Sequence, residues 1–322
     1  MIKIRISPKV KTKIKDIFWD DAKKYKTSIV NILRKAENRN YLLDRHPKIY
    51  DRFYDLDGNL IEDELKKLLL ADRDEMKEYI AEFGVYENKD CSKELLGKIF
   101  RYDTFSYRKS AITILKNIDV TVCPYCNRQY IFTLSSGNVR PQFDHYYPKS
   151  VYPYLALTLF NMIPSCSVCN MAKSSLDTLK CPILYPYDEE FGYDVKFTLK
   201  LNSDVNYVKM IQGISDEFTI QIDNKSNHSN DEIDNQISKL HLDELYNEHK
   251  MYVKDMMRSR YINTPERVNE LYLKFRHIFG SKDDVYGLLY MSDLKKESWG
   301  KRPLSKLTHD ISVKIKNKDY LF

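Results

Sequence analysis

Between Ser7 and Gly84 apolar residues return every three or four positions, as in Ile14, Ile17 and Phe18 and again in Leu65, Leu68 and Leu69. That period predicts a helical N-terminal region, broken by a turn at Asp57-Gly58. Another helix is predicted over Tyr107 to Asn117. The period then changes: Val120-Thr-Val122 leads into Tyr130-Ile-Phe-Thr-Leu134 and the turn Ser135-Ser-Gly-Asn138, which reads as a hairpin. Past Tyr185-Pro-Tyr187, the runs from Val195 to Leu201, Tyr207 to Ile211 and Phe218 to Ile222 alternate apolar and polar residues. They predict a small antiparallel meander with one buried face. Helical spacing resumes from Asp231 to about Met291 and includes Leu271, Leu273, Phe275 and Ile278. At the N-terminus Ile2, Ile4 and Ile6 alternate with Lys3 and Arg5, as a short strand would.

Composition narrows the class. With 322 residues and 43% hydrophobic content the chain can bury one large or two small cores, which excludes wholesale disorder. No apolar run approaches the roughly 18 residues of a membrane span, and the stretch from Leu155 to Phe160 contains Thr158. The N-terminal strand pattern lacks the apolar segment of a secretion signal, so a soluble, cytoplasmic protein is expected. Nine glycines form neither a G-x-x-x-x-G-K-[ST] loop nor a G-x-G-x-x-G turn, so no nucleotide-hydrolysing engine is expected. Neither repeats nor low-complexity linkers punctuate the chain. Pattern changes alone place three regions: helical over 1–105, a central domain over 106–187 and a mixed strand and helix region over 188–322.

The net charge of +6 is unevenly spread. Residues 1–50 hold 14 Lys and Arg against 5 Asp and Glu, and residues 51–90 hold 6 against 13. Residues 295–319 are basic again, at 8 against 3. The basic runs could track nucleic acid, but the abutting acidic segment argues for internal pairing or a protein interface.

The chemistry concentrates in the central region. Cys123-Pro-Tyr-Cys126 and Cys166-Ser-Val-Cys169 are two Cys-x-x-Cys knuckles, and four thiolates so paired match a tetrahedral structural zinc site with no corner open for a catalytic water. Cys91 and Cys181 have no partner motif and read as ordinary thiols. Between and beside the knuckles stand Asp144-His145, Asn161, Asn170 and Lys173. Asp144 and Asn170 offer the oxygen ligands that Mg²⁺ prefers, and His145, expected to titrate near neutrality, can take a proton from an attacking water. Lys149 and Lys173 could hold a phosphate backbone. Tyr125, Tyr146, Tyr147, Tyr152 and Tyr154 could stack on bases or serve as core. His46, His228, His241, His249, His277 and His309 lack ligand-like spacing and read as structural.

These residues, in this order from about Val120 to Ser174, resemble the HNH endonucleases of the ββα-metal fold. The resemblance implies an α+β protein with a zinc-stapled ββα-metal core. In that core His145 would be the general base, Asp144 and Asn170 would hold a catalytic Mg²⁺ for which Mn²⁺ could substitute, and Asn161 would pin the loop that orients His145. The chain departs from many members at Val151-Tyr-Pro-Tyr154, where they carry a Gly-Gly pair, and at Asn170, where others have His. More loosely, long flanks around a double-knuckle core resemble the nuclease subunits of bacterial antiphage systems of the Septu type and its retron-linked relatives, which work beside a separate ATPase. The expected function is phosphodiester hydrolysis, in DNA first, with RNA as the alternative substrate. A nucleic-acid-binding or scaffold protein with a vestigial site is the non-enzymatic alternative.

Overall fold

The structure is a computed structural model that describes residues 1–86, 96–203, 205–225 and 231–317; Cys91 and His228 lie outside the described residues. Two compact units emerge, one built from residues 4–120 and 131–182, the other from 1–3, 121–130 and 183–322. The chain therefore passes the expected boundary at 105 without changing unit, and the later change falls at Pro182, not at 187. Helices and two small antiparallel sheets give a mixed α+β chain. No helix among the described residues is long and apolar enough to cross a membrane.

The first unit starts with helices α1 (Pro8–Lys24), α2 (Ile29–Leu33), α3 (Ala36–Arg45), α4 (Pro47–Phe53), α5 (Glu62–Leu69) and α6 (Arg73–Phe83). Local chemistry sets their ends. Ser7 caps α1 by accepting from the Val10 amide, with Pro8 in the first turn, and Asp72 and Glu75 form a reciprocal capping box on α6. The Asp57-Gly58 turn forms as expected, with Gly58 at a φ of 76° that suits glycine. Leu65, Leu68 and Leu69 are fully buried, as is Ile14. Part of the adjoining basic and acidic excess meets itself here, since Arg34 pairs with Glu62. Two short helices follow, α7 (Tyr102–Ser106) and α8 (Lys109–Ile118), and Phe105 packs edge-on against Phe18 at 4.9 Å.

Two strands and a helix complete this unit: β1 (Gln142–His145), β2 (Met162–Ser165) and α9 (Ser167–Lys173). The strands pair antiparallel with Asp144 opposite Ile163 and His145 opposite Met162. The hairpin predicted over residues 120–138 is not there. A single bridge joins Val122 to Tyr130, and the Leu134 amide closes a separate turn on the Val139 carbonyl. Tyr130, Phe132 and Leu134, the alternating face of that run, are each about half exposed, so no packing surface rewards a strand.

In the second unit β3 (Val195–Leu201) pairs antiparallel with β4 (Phe218–Asn224) along their full length. The expected middle strand is instead helix α10 (Tyr207–Ile211), because Asn206 caps it by accepting from the Lys209 amide and only Met210 is buried. Five alternating residues are too few to separate strand from helix. The predicted helical stretch appears as α11 (Asp231–Lys239), α12 (Leu242–Asn247), α13 (Lys250–Ile262), α14 (Pro265–Lys274) and α15 (Lys282–Leu289). Leu273 and Ile278 are exposed, and α14 buries only Val268, so those apolar positions are not core. Helix α16 (Ser305–Asn317) lies on β3, where Asp310 accepts from the Phe197 amide and pairs with buried Lys306. The basic C-terminal run is thus partly internal. Residues 2–6 form no strand; Met1 and Ile2 are buried, and the Ile2 amide donates to the Pro124 carbonyl.

Candidate active site and metal centre

Strand β1 ends at His145, and the loop from Tyr146 to Asn161 returns the chain to β2. Asn161, the last residue of a 3₁₀ turn, fixes this loop. Its Oδ1 accepts from the Tyr147 amide at 2.8 Å, and its Nδ2 donates to the carbonyls of Tyr147 and Leu155, both at 3.0 Å. The same loop is tied to the N-terminal helices by Tyr154, which donates to the Gly84 carbonyl at 2.7 Å, and by Thr158, which donates to the Leu68 carbonyl at 3.1 Å. Buried polar groups so completely paired hold one geometry.

That geometry places Ala156 over His145. The imidazole Nε2 lies 3.0 Å from the Ala156 carbonyl, which can only accept, so Nε2 carries the hydrogen and the lone pair remains on Nδ1. The Tyr102 ring meets the imidazole edge-on at 4.5 Å, and the Tyr102 hydroxyl donates to the Phe143 carbonyl at 3.4 Å. Burial pushes the imidazole down to about 3, against the raising effect of the Ala156 carbonyl; Lys149 and Lys173 push it lower. The expectation of titration near neutrality therefore fails: His145 is neutral across the physiological range.

Asp144 is buried beside it on β1 and faces Lys173, whose ammonium lies 3.3 Å from Oδ1 and 3.2 Å from Oδ2 and donates to the His145 carbonyl at 2.6 Å. Lys173 is only 2% exposed, which corrects its expected place on substrate phosphate: it is an internal tie between α9 and β1. Asn170 stands one turn into α9, and its Nδ2 donates to Gln142 Oε1 at 2.8 Å, which leaves Oδ1 as the remaining acceptor.

Asp144, His145 and Asn170 line one open groove of about 920 Å³. Lys149 lines it too; its ammonium lies 3.2 Å from Asp103 Oδ1 and 4.7 Å from the centre of the Tyr102 ring. Asn161 and Lys173 are not on its wall. The five tyrosines singled out by sequence, Tyr125, Tyr146, Tyr147, Tyr152 and Tyr154, are all fully buried and are core. The groove instead presents Tyr102, Asp103, Tyr107, Arg140 and Gln142. No sequence signal marked these: Tyr102 and Asp103 sit some 40 residues before β1 in a five-residue helix without a motif.

The sulfurs of Cys123, Cys126, Cys166 and Cys169 are buried and lie within 4.8 Å of one another. A tetrahedral zinc with bonds of about 2.3 Å needs its sulfurs about 3.8 Å apart, so the donor set fits Zn²⁺. Both knuckles have the local form that suits thiolates. The Cys169 amide donates to the Cys166 sulfur, the Arg128 amide to the Cys126 sulfur, both at 3.4 Å, and Asn127 turns the first knuckle with a φ of 51°. Cys181 is half-buried. Of the histidines read as structural, His46 bonds to the hydroxyls of Tyr41 and Tyr86, His249 to Arg128 and His309 to the Leu294 carbonyl.

Fold and donor chemistry thus define an α+β chain with a four-cysteine site suited to zinc. Among characterised proteins, the Septu protein PtuB of Bacillus thuringiensis is 32% identical to it over 80 residues, which is 25% of this chain and 28% of that protein. The likeness therefore spans little more than a quarter of the relative. No protein-family profile matches the chain, and no solved structure does.

Proposed function

We propose that this chain is a metal-dependent endonuclease of the HNH type, acting on DNA as the nuclease component of a Septu-like antiphage system. The observation that carries this reading is His145 held through Nε2 by the Ala156 carbonyl, in the same groove as Asp144 and Asn170. The order β1, β2, α9 around these residues supports a ββα core, and the partial likeness to the Septu protein supports the defence setting.

Asp144 and Asn170 would hold the catalytic ion, an oxygen pair that suits Mg²⁺ with several of its own waters retained. When bound, such an ion neutralises charge developing on phosphorus and on the leaving oxygen. His145 Nδ1 accepts a proton from water, the hydroxide oxygen bonds to phosphorus and the P–O3′ bond breaks, with the 3′ oxygen taking up a proton. The Ala156 carbonyl keeps the imidazole in the tautomer that can do this and stabilises its protonated form. Asn161 holds Ala156 in place through the loop. Lys173 aligns the Asp144 carboxylate and partly offsets its charge. Lys149 stands at the groove for phosphate.

The chain would dock a separate ATPase through its flanks. The test is incubation of purified protein with supercoiled plasmid and, separately, total RNA, in Mg²⁺ or EDTA, with and without the product of the neighbouring gene. Mg²⁺-dependent nicking or linearisation of plasmid supports the reading. Degradation of RNA alone moves the substrate to RNA, and loss of neither substrate under any condition refutes it.

A further inference from the structure

The groove wall carries an exposed aromatic side chain that the proposed chemistry does not use. Tyr107, directly after α7, is 81% exposed, an unusual state for a large ring in a groove wall. The Arg140 guanidinium lies over it, 5.3 Å from the ring centre. Among the described residues no carboxylate pairs with Arg140, so its charge remains available. With one ring face under the guanidinium, so large an exposure leaves the other face to solvent. Val139, 54% exposed, lines the same groove next to Arg140. Tyr102 differs: its ring is already engaged by His145 and Lys149.

We infer that Tyr107 and Arg140 form a stacking platform for an unpaired base next to the scissile phosphate, which makes a single-stranded or locally opened strand the preferred substrate; this rests on the nuclease reading of the groove. The physical reason is access. Bases in a duplex have their faces stacked on one another and offer only edges in the grooves, whereas an unpaired base offers its π-face to an aromatic ring. The guanidinium polarises the tyrosine ring from behind and can bond to the adjoining phosphate. The ring supplies no base-specific donor or acceptor, so the platform tolerates any base.

The experiment uses the full-length chain with His145→Ala, which keeps strands intact. Fluorescence anisotropy compares it with versions that also carry Tyr107→Ala or Tyr107→Phe. The probes are labelled oligonucleotides of about 20 nucleotides: single-stranded DNA, the same sequence as duplex, and single-stranded RNA. Tyr107→Ala should weaken single-strand binding about tenfold or more, leave duplex binding within about twofold, and be rescued by Tyr107→Phe. The two single-stranded probes show which sugar the groove prefers. Single-strand binding indifferent to Tyr107, an equal loss on duplex, or no binding to any probe overturns the platform. Cleavage by the unmutated chain is scored separately. If it cuts while Tyr107 proves indifferent, only the platform falls; if it cuts nothing while Tyr107-dependent binding persists, only the nuclease reading falls.

Discussion

Asn161→Ala removes the side chain on which the geometry around His145 depends. Asn161 is fully buried and its side chain makes three hydrogen bonds, all to backbone groups. Its loss leaves the Tyr147 amide and the carbonyls of Tyr147 and Leu155 without that partner in a dry setting. Each such group costs roughly 1–3 kcal/mol, so the variant should lose about 4 kcal/mol of stability. For a unit of this size, 1 kcal/mol shifts the melting temperature by about 2–4 °C, which gives a fall of roughly 10 °C. Asn161→Asp should be no milder, since a carboxylate keeps the acceptor for the Tyr147 amide but turns an oxygen toward two carbonyls and buries a charge. The assay is thermal unfolding followed by circular dichroism, with hydrogen exchange at the Tyr147 amide as a local report. Faster exchange there, beyond what the global loss explains, would locate the damage. Cleavage should fall further than the folded fraction, because Ala156 follows the lost anchor at Leu155. A variant within about 1 kcal/mol of wild type, or a tolerated Asp, would refute this account of the loop.

Lys173→Met should cost about 3–5 kcal/mol in urea unfolding, because it strips the partner from a buried carboxylate; an unchanged midpoint would show the Lys173–Asp144 pair to be dispensable. The purified chain should contain one zinc, and Cys166→Ser should lose it and aggregate; elemental analysis without zinc in folded protein would remove the four-cysteine site. The depressed His145 pKa sets a direction with pH. The folded state stays neutral at His145 while the unfolded state gains a proton below about pH 6.5. Stability from this group is therefore complete above that pH and declines as pH falls toward about 3. The difference in urea midpoint between wild type and His145→Gln should narrow or reverse across that window, and a difference independent of pH would contradict the burial of the imidazole.

The helical periods of the flanks, the two knuckles and the order Asp144, His145, Asn161, Asn170 were legible because each rests on local spacing. The runs 130–134 and 207–211 are too short to carry a strand by themselves: each has five residues and buries one large apolar side chain, Ile131 or Met210, and neither finds a partner strand beyond the single Val122–Tyr130 bridge among the described residues. The role of Lys173 was out of reach, since its burial depends on α9 packing against β1. The tyrosines show the same limit. Sequence proximity favoured Tyr146, Tyr147, Tyr152 and Tyr154, which tertiary packing buries, while it passed over Tyr102 and Tyr107, which reach the groove from another part of the chain. The titration of His145 could not be read either, because burial sets it first, and that burial is a product of tertiary packing that local spacing does not reveal.

The most direct test of the central claim is single-turnover cleavage of plasmid DNA by His145→Ala in Mg²⁺, with the partner present if the wild-type chain requires it. Among the described contacts the His145 side chain makes one hydrogen bond, to the Ala156 carbonyl, and its backbone ties are kept by alanine, so the variant should still fold. Loss of a general base costs about 10²-fold to 10⁴-fold in rate, and the account predicts a loss in that range with the four-cysteine zinc retained. A folded, zinc-loaded His145→Ala protein that cuts at the wild-type rate would contradict the assignment of His145 as the base and, with it, the proposed mechanism.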